Sequence, residues 1–299
     1  MTTGHHGKAF HGGGHYENFP VGSWLVPEPM RQSVLALYRF ARTGDDLADE
    51  GQLDRTARHA GLKALLSGLT RESWVCSEAA AFTTELKSYF FIGAALREAL
   101  DARSVSSQPA QDLIAAFAWD IDHAPMCSES EVLLYCSKSA NPVGRLVLGF
   151  AGLAHPEDPA SHNVMLFESD CICTGLQLAN FAQDMGEDLA RGRCYAPSSW
   201  QLGVKNDRET TVLKMADWAQ KKIDAGSGLA ARIRTSKCPN RLRLGLEIAL
   251  VIEGGREIIR IVQSDPAAVW RQSPSIPKHR LPLILLRAIR TLFARPNPS

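Results

Sequence analysis

Apolar positions recur every three to four residues along most of the chain, and the strict alternation of a half-buried strand is found nowhere. After Pro27, Val34, Leu35, Leu37, Tyr38 and Ala41 mark the apolar face of a helix running to about Glu50. Residues 52–69, 76–102 and 108–122 read as three more helices, parted by Ser, Gly and Pro signals. A further helix starts near Ser128, where Glu131 completes a capping box, and carries Tyr135. Pro142 and Gly144 interrupt the pattern within SANPVGRLVLGFAG and predict a kink there. A long apolar run extends from about Asp158 to Leu189, with Gly192 as its stop signal. Helical segments at about 208–235 and 240–264 follow; the second contains Gly254 and Gly255, each costing about 1 kcal/mol against Ala, which implies close packing or a bend. Without repeats or a linker, the expectation is an all-α fold with one domain over 16–299. Residues 1–15, rich in Gly and His and without periodicity, are expected to be a disordered tail, and His5, His6, His11 and His15 receive no physiological metal role.

Two acidic stretches run against this pattern. In RTGDDLADE at 42–50, Asp45 and Asp49 are four apart; in QLANFAQDMGEDLARGR at 177–193, so are Asp184 and Asp188. On a helix each pair projects from one face, and Asn180 and Gln177 extend the second face by a turn. Like charges at this spacing, and Asp in a helix interior, both disfavour the helix. A single such pair on a solvated face is common. Two pairs, one set among Leu178, Ala179, Phe181, Met185 and Leu189 and the other following Leu35, Leu37 and Phe40, point instead to acids reaching into a cavity. Carboxylate and amide oxygens suit Mg²⁺, which binds through one or two carboxylates plus phosphate oxygens. The pair of motifs therefore predicts a diphosphate held between two helices through bridging ions. Tyr38, Arg42, Asp45 and Asp49 form one stripe at spacings of four, three and four. Arg42 offers a bidentate fork to phosphate oxygens, or an ion pair with Asp45 or Asp46 in the empty protein. Asp46 sits about 100° around the helix from Asp45 and ranks behind it.

The 33 basic and 32 acidic residues give no global field for nucleic acid, which is not an expected partner. Seven cysteines, an odd number without a C-x-x-C pair, read as reduced thiols of a cytoplasmic protein. No stretch approaches the ~20 apolar residues of a spanning helix. Residues 277–295, with KHRLPLILLRAIRTLFAR, have two readings: a terminal helix docked on the core, or a peripheral contact with the inner membrane face. SYFFIGAAL at 88–96 likewise reads either as core packing or as the wall of a hydrocarbon tunnel.

Together with ENFPVGSWLVP at 17–27, YRFARTGDDLADEG at 38–51 and YCSKSANPVGRLVL at 135–148, the two motifs resemble the squalene and phytoene synthase family, and within it the bacterial hydroxysqualene synthase (HpnC-type) branch of the hopanoid pathway. The resemblance implies an isoprenoid synthase fold, helices around a central apolar cavity whose mouth carries both motifs. It implies two or three Mg²⁺ ions with the diphosphate, held by Asp45, Asp49, Asn180, Asp184 and Asp188, and substrate contacts from Phe19, Arg42, Gln177, Asn180, Arg193 and Tyr195. Tyr38 can orient diphosphate or face a carbocation, and Tyr135 resembles a residue near the cation, a buried Tyr bonded to a helix carbonyl being its other reading. For Arg193 and Tyr195 the other reading is charge complementing a helix C-terminus. The implied activity is that of a carbon–oxygen lyase: presqualene diphosphate and water give hydroxysqualene and diphosphate, without NADPH. The implied partners are a prenyl diphosphate and enzymes of the same pathway. Coupling of two farnesyl diphosphates to presqualene diphosphate is the alternative within the family, and a non-catalytic assembly protein the alternative outside enzymology. Where relatives carry an Arg-Tyr pair after Asp120, this chain has Pro125 and Met126.

Overall fold

Pro27 lies immediately before the first helix, and that helix, α1, runs from Glu28 to Asp49. The computed structural model describes residues 26–49, 53–71, 83–122, 125–153, 159–200 and 208–295; the side chains of Pro29, Asp49 and residues 159–161 are outside that description, as are the tail 1–15 and Phe19. The remaining helices are α2 (Arg55–Thr70), α3 (Thr84–Asp101), α4 (Gln108–Asp122), α5 (Glu129–Ser139), α6 (Asn141–Phe150), α7 (Pro159–Gln183), α8 (Met185–Ala190), α9 (Arg208–Gly226), α10 (Leu229–Thr235), α11 (Arg241–Ser264) and α12 (Leu281–Phe293). Among the described residues there is no strand, and no helix is long and apolar enough to cross a membrane.

The helices form two packed groups around one continuous apolar core. In the first, α3 packs on α1 and α2, and α4 packs on both of the latter; in the second, α7 packs on α9 and α11, with α10 and α12 on α11. Helices α5 and α6 join the groups, α6 touching α1, α4 and α7. Phe40, Leu65, Leu96, Leu113, Phe150, Leu178 and Met215 are fully buried in the shared core. SYFFIGAAL belongs to this packing: Gly93 of α3 lies against the Leu65 carbonyl and Tyr89 lies beside Gly61 of α2.

Local chemistry sets the helix ends. Ser128 accepts from the Glu131 amide, and the Glu131 carboxylate accepts from the Ser128 amide, forming the capping box the sequence predicts. The break expected at Pro142 separates α5 from α6, with Pro142 in the first turn of α6. Two segments expected to be continuous are divided. The run over 208–235 splits at Gly226–Gly228, because both glycines lie against Glu168 of α7, where a Cβ would collide with its backbone or carboxylate oxygens. The run to Leu189 splits at Asp184, for reasons given with the site below.

Helix α12 docks on the core through Ile284, Ala288 and Leu292. The contact is reinforced by buried carboxylates of α11. Glu257 accepts from Arg260 (2.6 Å), Arg287 (2.8 Å) and Arg280, and Glu253 accepts from Arg256 (2.6 Å) and Thr291 (2.9 Å). Burial alone would raise the Glu257 carboxyl, but the Arg280 and Arg260 guanidiniums outweigh it and hold the pKa below the ordinary range.

Removing one partner of such a buried cluster leaves the other charges uncompensated, so Glu257→Gln should cost about 3 kcal/mol at neutral pH in urea unfolding. A depressed folded-state pKa contributes stability above the unfolded value near 4.3, and that stability is lost as pH falls through the folded value; the gap between the two proteins should therefore close below about pH 4. Gly254 and Gly175 should respond oppositely to Ala. No atom lies within 4 Å of a Cβ added at Gly254, whereas one at Gly175 would sit 2.8 Å from the Ile223 amide nitrogen and 3.0 Å from the Ala219 carbonyl. Gly254→Ala should raise stability by about 0.5–1 kcal/mol, and Gly175→Ala should lower it by about 1–3 kcal/mol.

Candidate active site

The first acidic motif lies at the C-terminal end of α1. Arg42 reaches one turn forward and bonds both neighbouring carboxylates, Asp45 at 3.3 Å and Asp46 at 2.6 Å. Asp46, ranked behind Asp45 from its angle on the helix, thus makes the shorter of the two contacts. Tyr38, Arg42 and Asp45 are all half-buried, as residues lining a cleft would be. Gly44 is required between them because Phe117 of α4 occupies the space of a side chain there. Asp49 completes the stripe on the backbone of α1, its side chain outside the described set.

The second motif is not a continuous helix. Helix α7 stops at Gln183, Asp184 takes φ −101°, ψ 6°, and α8 resumes at Met185. The segment after α11 pulls the chain off axis at three points. The Gln183 side-chain Nε2 donates to the Pro274 carbonyl at 2.8 Å, the Ser273 backbone amide donates to the Glu187 carboxylate at 3.1 Å, and Gly186 lies against the Val269 carbonyl, where any side chain would collide. The bond from the Asp188 amide to the Asp184 carbonyl survives at 2.8 Å, so the two acids remain one turn apart across the break.

Gly192 then ends α8 at φ +79°, in the left-handed region. Its amide donates to Leu189 O at 3.0 Å and the Arg193 amide donates to Asp188 O at 2.8 Å, the paired bonds of a Schellman ending. This ending aims the following chain back at the first motif: Arg193 Nη2 donates to the Ala48 carbonyl at 3.4 Å, and Arg58 of α2 donates to the same oxygen at 2.6 Å. The end of the second acidic motif thereby meets the first motif at one polar rim.

Beneath the rim lies an aromatic cluster built on a residue that the motif reading passed over. Tyr135 of α5 is buried and donates to Asp120 Oδ2 at 2.8 Å; Tyr195 donates to Asp120 Oδ1 at 3.3 Å. Tyr135 is thus bonded to a carboxylate rather than to a helix carbonyl. Tyr195 stacks on Phe181 at 4.4 Å between centroids, and the Tyr135 ring stands edge-on to Trp119 at 5.9 Å. Burial, then the negative Asp120 beside it, pushes the Tyr135 phenol well above its usual value, so it stays neutral. The sequence signal for Asp120 was its register: it continues the inward stripe Leu113–Ala116 of α4, where an acid requires a partner. In place of the relatives' Arg-Tyr pair, Pro125 borders the space beside Asp120 and the Met126 carbonyl accepts from the Ser198 amide at 3.0 Å.

Between the α5–α6 junction and α6, α7, α10 and α11 lies a partly open apolar cavity of about 170 Å³. Its α7 wall is Ser169, Ile172, Cys173, Leu176 and Gln177. Asn180 and Asp184 continue that face at helical spacing, so the apolar wall leads along α7 to the acidic rim. Gly144 lets α6 approach this wall, since Cys173 Sγ would lie 2.7 Å from a Cβ there. Burial pushes the Cys173 and Cys136 thiols up to about 12, and none of the six described cysteines is in a disulfide. Among the described residues no three His, Cys, Asp or Glu side chains converge on one point as a closed metal site would.

Comparison with known proteins agrees with this architecture. The chain matches the squalene/phytoene synthase family model over residues 13–280. It is 31% identical over 264 residues to a hydroxysqualene synthase of Rhodopseudomonas palustris, covering 84% of this chain and 81% of that protein. To the hydroxysqualene synthase of Sinorhizobium fredii it is 29% identical over 260 residues, covering 83% and 80%. Among solved structures, squalene synthase HpnC from Alicyclobacillus acidocaldarius superposes with a TM-score of 0.64 at 30% identity, over 85% of this chain and 90% of that one. A dehydrosqualene synthase in complex with ligand superposes with a TM-score of 0.67 at 19% identity, over 90% and 89%, a likeness of fold alone. With two aspartate motifs on one rim above an apolar cavity, and a family match spanning most of its length, this chain belongs to the squalene/phytoene synthase family.

Proposed function

We propose that this protein is a magnesium-dependent hydroxysqualene synthase, converting presqualene diphosphate and water to hydroxysqualene and diphosphate. The observation that carries the reading is the bond from Arg193, just past the second acidic motif, to Ala48 inside the first, which joins motifs 145 residues apart into one polar rim. The relatives named hydroxysqualene synthase support the choice of branch.

The candidate metal ligands are Asp45, Asp49, Asn180, Asp184 and Asp188, all carboxylate or amide oxygens, the chemistry a hard cation requires. The donor set fits: Asp45, Asn180, Asp184 and Asp188 are half-buried rather than sealed in the core, so an ion held by them would remain open to substrate oxygens. Bound Mg²⁺ would supply charge neutralisation for the departing diphosphate. Arg42 and Arg193 add fixed positive charge at the same rim, and Arg42 can exchange its carboxylate partners for phosphate oxygens. The carbon–oxygen bond of the substrate breaks with its electron pair leaving on the diphosphate. The C30 cation rearranges, water adds to it, and a proton is lost. The apolar α6–α7 wall takes the hydrocarbon and excludes bulk water. The neutral phenol of Tyr135 and the Tyr195 ring, both bonded to Asp120, present ring faces and hydroxyl dipoles below the rim. Gln177 and Tyr38, and Phe19 from the N-terminal segment, complete the proposed substrate contacts.

Incubation of the full chain with Mg²⁺ and presqualene diphosphate, without a nicotinamide cofactor, should give hydroxysqualene by mass analysis of the lipid extract. Farnesyl diphosphate should give no presqualene diphosphate; its appearance would move the protein to the coupling step. Chelation should abolish turnover and Mg²⁺ restore it. Asp45→Ala and Asp184→Ala should each lower turnover at least about a hundredfold with unchanged helical circular dichroism. Asp120→Ala should leave two phenols without their acceptor and cost roughly 1–3 kcal/mol of stability along with turnover, while Asp120→Asn, which keeps an acceptor oxygen, should retain most of the stability.

A further inference from the structure

Helix α12 is apolar on both sides. Ile284, Ala288 and Leu292 face inward, yet Leu283, Leu285, Leu286, Ile289 and Phe293 are 44%, 44%, 57%, 42% and 61% exposed. Single exposed leucines are ordinary, but five large apolar side chains on the outer face of one helix about 20 Å long form a patch that calls for a partner.

The charge around the patch identifies that partner. The chain carries nearly equal numbers of basic and acidic residues, yet residues 266–299 contain no Asp or Glu, and neither does 229–246. The two stretches adjoin: Arg234 donates to the Leu292 carbonyl at 2.9 Å and stacks over the Phe293 ring at 5.2 Å. Arg280 and Arg287 are paired with the buried Glu257. Lys278, Arg290, Arg295 and, from the first turn of α11, Arg241 lie on the exposed surface. A second copy of the chain docked face to face would set these cations against their own images. Nucleic acid would meet an apolar centre where it needs donors. A bilayer with anionic headgroups satisfies both parts, taking the apolar side chains into its interface and the cations at its phosphates.

We propose that α12 lies in the interfacial plane of an anionic membrane, with Leu285, Leu286, Ile289 and Phe293 inserted and Lys278, Arg241, Arg290 and Arg295 on the headgroups. The inference is independent of the catalytic reading. It places α10 and α11, which carry the cavity-lining Leu229, Ile248 and Val251, directly behind the membrane-facing helix.

The test is co-sedimentation of the full chain with phosphatidylcholine vesicles, with and without phosphatidylglycerol, at low and high salt. Binding should be strong only with phosphatidylglycerol and should weaken with salt. A Leu285→Gln, Leu286→Gln, Ile289→Gln variant, which spares every inward contact, should bind about tenfold more weakly or worse at an unchanged thermal midpoint, and Arg290→Gln with Arg295→Gln should remove much of the lipid selectivity. Absence of binding, equal binding to both vesicle types, or full binding by the triple variant would each overturn the proposal. So would a lipid-free dimer in analytical ultracentrifugation that the triple variant dissolves, or duplex DNA binding that the triple variant abolishes.

Discussion

Carboxylates one turn apart on a helix repel one another, and in this fold the packing of the helices holds both such pairs in place. Each like-charged pair one turn apart costs a helix a few tenths of a kcal/mol, and Asp adds a propensity penalty. Those costs are small beside the burial of Phe40 and Leu37 under α1 or Leu178 and Phe181 on α7, each worth on the order of 2 kcal/mol. The packing therefore fixes the helices and the acids are carried with them. Guanidiniums supply the local compensation, Arg42 across Asp45 and Asp46 and Arg193 from the opposite motif.

The functional geometry is concentrated at interruptions of the helices. Asp184 sits at the junction of α7 and α8, Gly192 turns the chain so that Arg193 and Tyr195 return to the rim, and the α5–α6 break lets Gly144 approach α7 beside the cavity. Each interruption frees or re-aims groups that a straight helix would keep on its own surface. The clearest case is Gly186, where the neighbouring backbone leaves no room for a Cβ and the acid-bearing turn is pressed against the segment after α11.

The arginines of the C-terminal third divide by what lies opposite them. Where α11 presents buried Glu253 and Glu257, Arg256 and Arg260 pair with them within the helix, while Arg280 and Arg287 reach Glu257 and fasten α12. Arg241, Arg290 and Arg295 lie at the surface, the last two beside the exposed apolar side chains of α12. A sequence in which Arg alternates with Leu and Ile thus yields a helix docked on the core through one face and apolar on its exposed face; of the two expectations for 277–295, the docking is seen in the packing and the membrane contact is the proposal made above.

The sequence by itself determined the all-helical class, most helix starts, the capping box at Ser128, the break at Pro142, the stop at Gly192 and the residues of both acidic motifs. These follow from periodicity, cap chemistry and backbone restriction, which act within a few residues. Contacts between distant segments were decided only in the tertiary structure. The break at Asp184 depends on Ser273, Pro274 and Val269; the break at Gly226–Gly228 depends on Glu168; and Asp120 gains its meaning from Tyr135 and Tyr195, 15 and 75 residues away. A pattern read along the chain shows that an acid faces inward, but not which hydroxyl it meets there, because that partner is set by packing between helices remote in sequence.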